Sequence, residues 1–149
     1  MRGRVLCGFL FACLAIGALA QARSAFRVMR SSRIVHTIES TSLAAARAGA
    51  EGLPLLRANL TLAREAVELD ASSVAAAQAL GSVYLLLGRP QEAISGYEKA
   101  LRLQPTAELY MNLGHAALAK SDVAAAHTYF LRAAALDSRL AEQVPSAAR

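Results

Sequence analysis

The chain has 149 residues, enough for one domain with an N-terminal appendage. Its net charge of +5 is uneven: residues 1–38 hold six arginines and no acid, while residues 39–149 hold the other ten of 16 basic residues and all eleven acids, leaving −1 there. A near-neutral body excludes the basic face that nucleic-acid binding requires, and both cysteines, Cys7 and Cys13, fall in the apolar start, so nothing downstream can form a disulfide or a thiolate metal site.

The first element in chain order is residues 1–22. Met1-Arg2-Gly3-Arg4 is a basic head, and Val5 to Ala20 come next as 16 uncharged residues. Ala18-Leu19-Ala20 offers a small-x-small cleavage signal, with Ala20-Gln21-Ala22 as a second choice. These are the three parts of a secretory signal peptide, and the run falls short of the roughly 20 apolar residues of a spanning helix. Against simple export, Arg23, Arg27, Arg30 and Arg33 come at once after it, and flanking positive charge holds a segment at the cytoplasmic side. Cleaved signal and retained anchor both stay open. Leu10-Phe11-Ala12-Cys13 departs from a lipobox at the bulky Phe11. Arginine outnumbers lysine 14 to 2, a bias of GC-rich bacterial genomes. The expected location is therefore a bacterial cell envelope, with the chain exported to the periplasm or anchored in the inner membrane.

Residues 23–39 read as a basic connector in which Phe26, Val28, Met29, Ile34, Val35 and Ile38 interleave with the arginines. Such a helix either lies on a membrane surface or continues from the apolar run into the body. His36 sits here and is assigned no role.

Residues 40–73 hold a weak copy of a pattern that residues 74–140 carry clearly. Leu60 to Asp70 mirrors Ile94 to Gln104 at an offset of 34, with Ala66 matching Ala100, Asn59 standing where Ala93 would, and Arg47 where Gly81 would. Two helices, over 40–51 and 54–70, are expected, joined through Gly52-Leu53-Pro54. Residues 74–106 are sharper. Ser72 or Ser73 caps a helix over 75–87, Gly88 closes it, and Pro90 opens a second helix to about Leu103. Leu80-Gly81-x-x-Tyr84, then Ala93-x-x-x-Tyr97-x-x-Ala100, set the face spacing. Thirty-three residues on, in 107–140, Leu113-Gly114-x-x-Ala117 and Ala126-x-x-x-Phe130-x-x-Ala133 repeat it, with Tyr110 added and Ser121-Asp122 capping. Residues 141–149 form a tail broken by Pro145.

A spacing repeated at this many positions decides the fold. The pattern resembles the tetratricopeptide repeat. That resemblance implies an all-α, short helix-turn-helix solenoid of two clear repeats plus one degenerate repeat, preceded by an apolar N-terminal helix. It implies a binding scaffold and not an enzyme. Its concave groove, lined by the first helix of each repeat, would here present Gln78, Ser82 and Leu85, then Glu108, Met111, Asn112, His115 and Leu118. One subgroup grips a peptide carboxylate with lysine, arginine and asparagine. Asn112 matches one asparagine of that clamp, but Ala75 and Ala79 replace its cations, so the clamp is absent and an extended peptide or partner helix is expected.

No catalytic constellation is present: there is no nucleophile elbow, no paired-acid spacing and no phosphate-cradling glycine loop. His115 and His127 have no third ligand, so neither a metal nor another cofactor is expected. The expected role is a non-catalytic adaptor with a protein or peptide partner, touching the membrane through its N-terminal segment. The alternative is a permanently docked subunit of a membrane complex. Val123 and Leu131 on the last helix, left without a solvating cap, make self-association part of that alternative.

Overall fold

In this computed structural model the described residues are 2–145, with side chains for 15–140 and 142–145. Local signals fix the repeat helices. Ser73, Thr106 and Asp122 each stand at an N-cap, and their side chains accept hydrogen bonds from the backbone N–H of Ala76 (3.1 Å), Leu109 (3.2 Å) and Ala125 (3.1 Å). Each satisfies a donor the helix cannot, worth about 1 kcal/mol. They start α3 (Val74–Leu86), α5 (Ala107–Ala119) and α6 (Val123–Leu136), while Pro90 occupies the first turn of α4 (Pro90–Leu103). Upstream lie α1 (Arg2–Arg47) and α2 (Leu53–Leu69), joined through a 3-10 turn at Gly49–Gly52. A second 3-10 segment, Ser138–Gln143, comes after α6, and no strand occurs among the described residues.

The turn inside each clear repeat needs a left-handed residue. Gly88 takes it at φ +70°, and Ser121, 33 residues later, takes it at φ +67°. A side chain there costs about 1–2 kcal/mol, of which glycine's greater chain entropy takes back about half. Ser121→Gly is therefore expected to stabilise by about 0.5–1 kcal/mol. Thermal denaturation checks this; a lowered melting point would contradict it.

The helices stack as three hairpins, α1–α2, α3–α4 and α5–α6. Helices α1, α3 and α5 touch in succession and form one layer. Helices α2, α4 and α6 form the other, reaching mainly to the first layer. The closer contact within the first layer makes it the concave side. Three clusters fill the stack. Val35, Ile38, Ala63, Ala66, Ala76, Ala79 and Val83 join α1 to α3. Ala77, Ala93, Tyr97, Ala100, Leu109, Leu113 and Ala116 join α3 to α5. Met111, Ala117, Ala126, Phe130 and Ala133 close the far end, with Leu140 and Val144 packed on them.

The N-terminal third differs from the sequence reading. The division between residues 39 and 40 falls inside α1, which runs unbroken to Arg47. Ser31, Val35, Ile38, Ser42 and Ala45 are buried at spacings of four, three, four and three, the face of a helix packed along its length. Ser31 donates to the Ala66 carbonyl (3.0 Å), Arg27 to the Glu68 carbonyl (2.8 Å), and Arg30 pairs with Glu65. The connector is thus the inner helix of a complete first hairpin. Asn59, at the position of Ala93, donates to Thr41 and Ser42 (both 2.9 Å), so Ser42 and not Arg47 takes the place of Gly81. The longer α1–α2 link accounts for the shift.

Every side chain of residues 15–30 of α1 is exposed, including Ile16, Leu19, Phe26, Val28 and Met29, although Arg27 and Arg30 reach across to α2. Most of the signal or anchor expected over 1–22 lies outside the described side chains, and among the described residues no helix is long and apolar enough to cross a membrane. At the other end, Val123 and Leu131 are 49 % and 57 % exposed.

Candidate functional site

The concave layer carries a cavity of about 240 Å³ between α1 and α3. Ile38, Glu39, Ser42 and Leu43 line it from α1, and Gln78, Ala79, Ser82 and Leu86 from α3. Glu39 and Leu43 stand 39 residues before Gln78 and Ser82, so they hold the same repeat positions with five residues added to the period of 34. Ser82 is fixed from behind: the buried Tyr97 hydroxyl donates to its Oγ at 3.1 Å. Burial raises the Tyr97 pKa, although the Ser82 bond works against it, so the phenol stays a donor.

The structure places the eight sequence-expected residues unevenly. Gln78 and Ser82 are walls of the cavity. Leu85 is half-buried and packs against the α3–α5 cluster. Glu108 is exposed and Asn112 half-buried; with His115 they recur at four- and three-residue spacing on one face of α5. His115 is exposed but lies edge-on to Phe130, ring centroids 5.3 Å apart at 73°. Partial burial there lowers its pKa, favouring the neutral imidazole. Met111 shares Gln78's repeat position but is only 7 % exposed and belongs to the α5–α6 cluster, on which Leu140 and Val144 also pack. Leu118 is half-buried against the same cluster. Glu39 and Leu43 escaped sequence reasoning because the lengthened link broke the period; the four-and-three stripe from Ser31 to Ala45 was the signal that could have found them.

Charge on this face is one-sided. Among the cavity lining and the eight candidates the only formal charges are Glu39 and Glu108. Two arginines of the body are engaged elsewhere: Arg64 donates to the Tyr84 hydroxyl (3.0 and 3.3 Å), and Arg89 stacks over the Tyr84 ring at 4.9 Å while pairing with Glu92. No cluster of three or more histidine, cysteine or acidic side chains suited to a metal occurs among the described residues. The face offers apolar walls, hydrogen-bonding groups and carboxylates, groups suited to recognition.

Residues 74–107 and 107–139 each match a family model of the tetratricopeptide repeat. Among solved structures the chain is similar to TTC0263, a thermophilic TPR protein in Thermus thermophilus, with a TM-score of 0.70 at 23 % identity over 90 % of this chain and 75 % of that one. That coverage necessarily takes in much of the first hairpin, so the likeness in fold extends beyond the two matched repeats. The chain is also similar to MamA protein (TM-score 0.53, 26 % identity, 61 % of this chain and 50 % of that one). A third likeness is to YrrB, a TPR protein with an unusual peptide-binding site (TM-score 0.53, 29 % identity, 62 % of this chain and 48 % of that one). The matched part spans about half the length of the latter two. No curated protein matches by sequence.

Proposed function

We propose that two tetratricopeptide repeats and the hairpin before them serve here as a non-catalytic interaction scaffold that takes a peptide or helix of a partner protein in its concave groove. The observation that carries this reading is the convergence of Glu39, Leu43, Gln78 and Ser82 from two successive inner helices on one cavity. The peptide-binding site named for YrrB supports it. A photo-crosslinking residue at Glu39 or Asn112 is expected to capture a partner that the same residue at Ser95 or Thr128, on the outer helices, does not. Equal capture from both layers would reject the groove.

We assign the scaffold to a bacterial cell envelope, on the strength of the uncharged run Val5–Ala20 and its arginine flanks. Fractionation with intact mass tests this. Loss of residues 1–20 or 1–22 marks an exported adaptor, full mass in the membrane fraction marks an anchored one, and full mass in the cytosol rejects the assignment.

A second reading, a subunit docked permanently in a membrane complex, draws on the exposed apolar side chains of residues 15–30 and of α6. Ile16, Leu19 and Phe26 share one side of α1 and Val28 lies on another, and a helix apolar on more than one side calls for surrounding cover. Sedimentation of the detergent-free chain as a stable monomer would count against it.

A further inference from the structure

We infer that the cavity between α1 and α3 is a subsite for a cationic side chain, lysine or arginine, presented by an extended partner segment. This rests on the groove-binding reading above and names the chemistry it selects. A volume of about 240 Å³ lies below the roughly 300–1,000 Å³ of sites for small molecules; it suits one long side chain. Ile38, Ala79, Leu43 and Leu86 supply apolar walls for the aliphatic stem, the part of lysine and arginine that packs on apolar surface while the head stays wet. Glu39 is exposed and supplies the carboxylate for that head. The Gln78 amide oxygen adds an acceptor, and Ser82, held by Tyr97, adds another.

For a carboxylate the lining offers only the neutral donors of Gln78 and Ser82. A carboxylate would need a cation, and none lines the cavity. The nearest arginines of α1 also stand off it: Arg33, which donates to Met29 Sδ, is six residues before Glu39 and Arg47 eight after, about 9 and 12 Å along the axis. The whole chain carries +5, so a preference for a basic peptide must come from local charge and not from the long-range field.

The test uses the full-length chain in a neutral detergent and two peptides, an extended octapeptide alternating lysine with leucine and its glutamate twin. Amide resonances of Gln78 and Ser82 report the site, and titration gives the affinity. The lysine peptide is expected to shift both resonances and to bind at least about tenfold tighter than the twin. Glu39→Gln should weaken it about fivefold, the upper range for one exposed ion pair, while Glu98→Gln on the outer layer leaves it unchanged. Equal affinity for the twins, or no effect of Glu39→Gln, would overturn the cation subsite and leave the groove standing. Failure of either peptide to move Gln78 and Ser82, or binding confined to residues 15–30, would overturn the groove reading itself.

Discussion

Replacing Gly96 by alanine is expected to destabilise the protein by about 2–3 kcal/mol, the upper range for an overpacked site, and to lower the melting point by about 5–10 °C. The added Cβ would lie 2.9 Å from the Cα and N of Gly81 and 3.4 Å from the carbonyl oxygen of Ala77. These are backbone atoms of α3, tied into a hydrogen-bonded helix, and they cannot rotate aside as a side chain can. Helix α4 must therefore back away, and Ala93, Tyr97 and Ala100, all buried on the same face, lose contact with it. Gly17→Ala is the matched control. Its Cβ meets nothing within 4 Å, and alanine is the better helix former, so the melting point should hold. Thermal melts of the two variants side by side decide the matter; equal melting points would mean that α3 and α4 do not cross this closely.

Phe130→Ala should have a larger and more local effect. The ring is 2 % exposed, sits over Gly114, and fills the cluster of Met111, Ala117, Ala126 and Ala133. Loss of such a ring typically costs about 3–5 kcal/mol. In a stack, each unit leans only on its neighbours. Among the described residues the α5–α6 hairpin leans on one other hairpin, so it is expected to open before the rest. Hydrogen exchange in α5 and α6 is expected to accelerate by about two to three orders of magnitude, while the α1–α3 cluster keeps its protection. Acceleration spread evenly over the chain would contradict a stack of separable units.

The two regular repeats were legible because their landmarks do plain steric work. Gly81 and Gly114 make room for Tyr97 and Phe130, and those pairs recur at one period. Caps and breakers at Ser73, Gly88, Pro90 and Asp122 then placed the helix ends within a residue or so, while the Thr106 cap of α5 went unread. Helix α2 was legible through Asn59, Ala63 and Ala66, which keep the offset of 34. Helix α1 was not, because five extra residues separate it from that frame and its buried stripe is made of serines and one alanine among larger residues. Arginines on the neighbouring faces gave the stretch the look of a connector. The site inherited this split: Gln78 and Ser82 came from register, while Glu39 and Leu43 were hidden with their helix. Met111 shows the limit of register itself, since position in the repeat predicts direction, and the tail residues Leu140 and Val144 pack on the cluster to which it belongs.

The unbroken course of α1 has a mechanical consequence. Its 46 residues make a rod about 70 Å long, exposed along residues 15–30 and carrying Glu39 and Leu43 farther along. No joint lies between the two stretches. A tilt of the exposed stretch would therefore act on one wall of the cavity through a helix that α2 also holds, while the other wall, on α3, is held by α4. A pull that overcame the ties of Arg27, Arg30 and Ser31 to α2 would carry Glu39 and Leu43 with it.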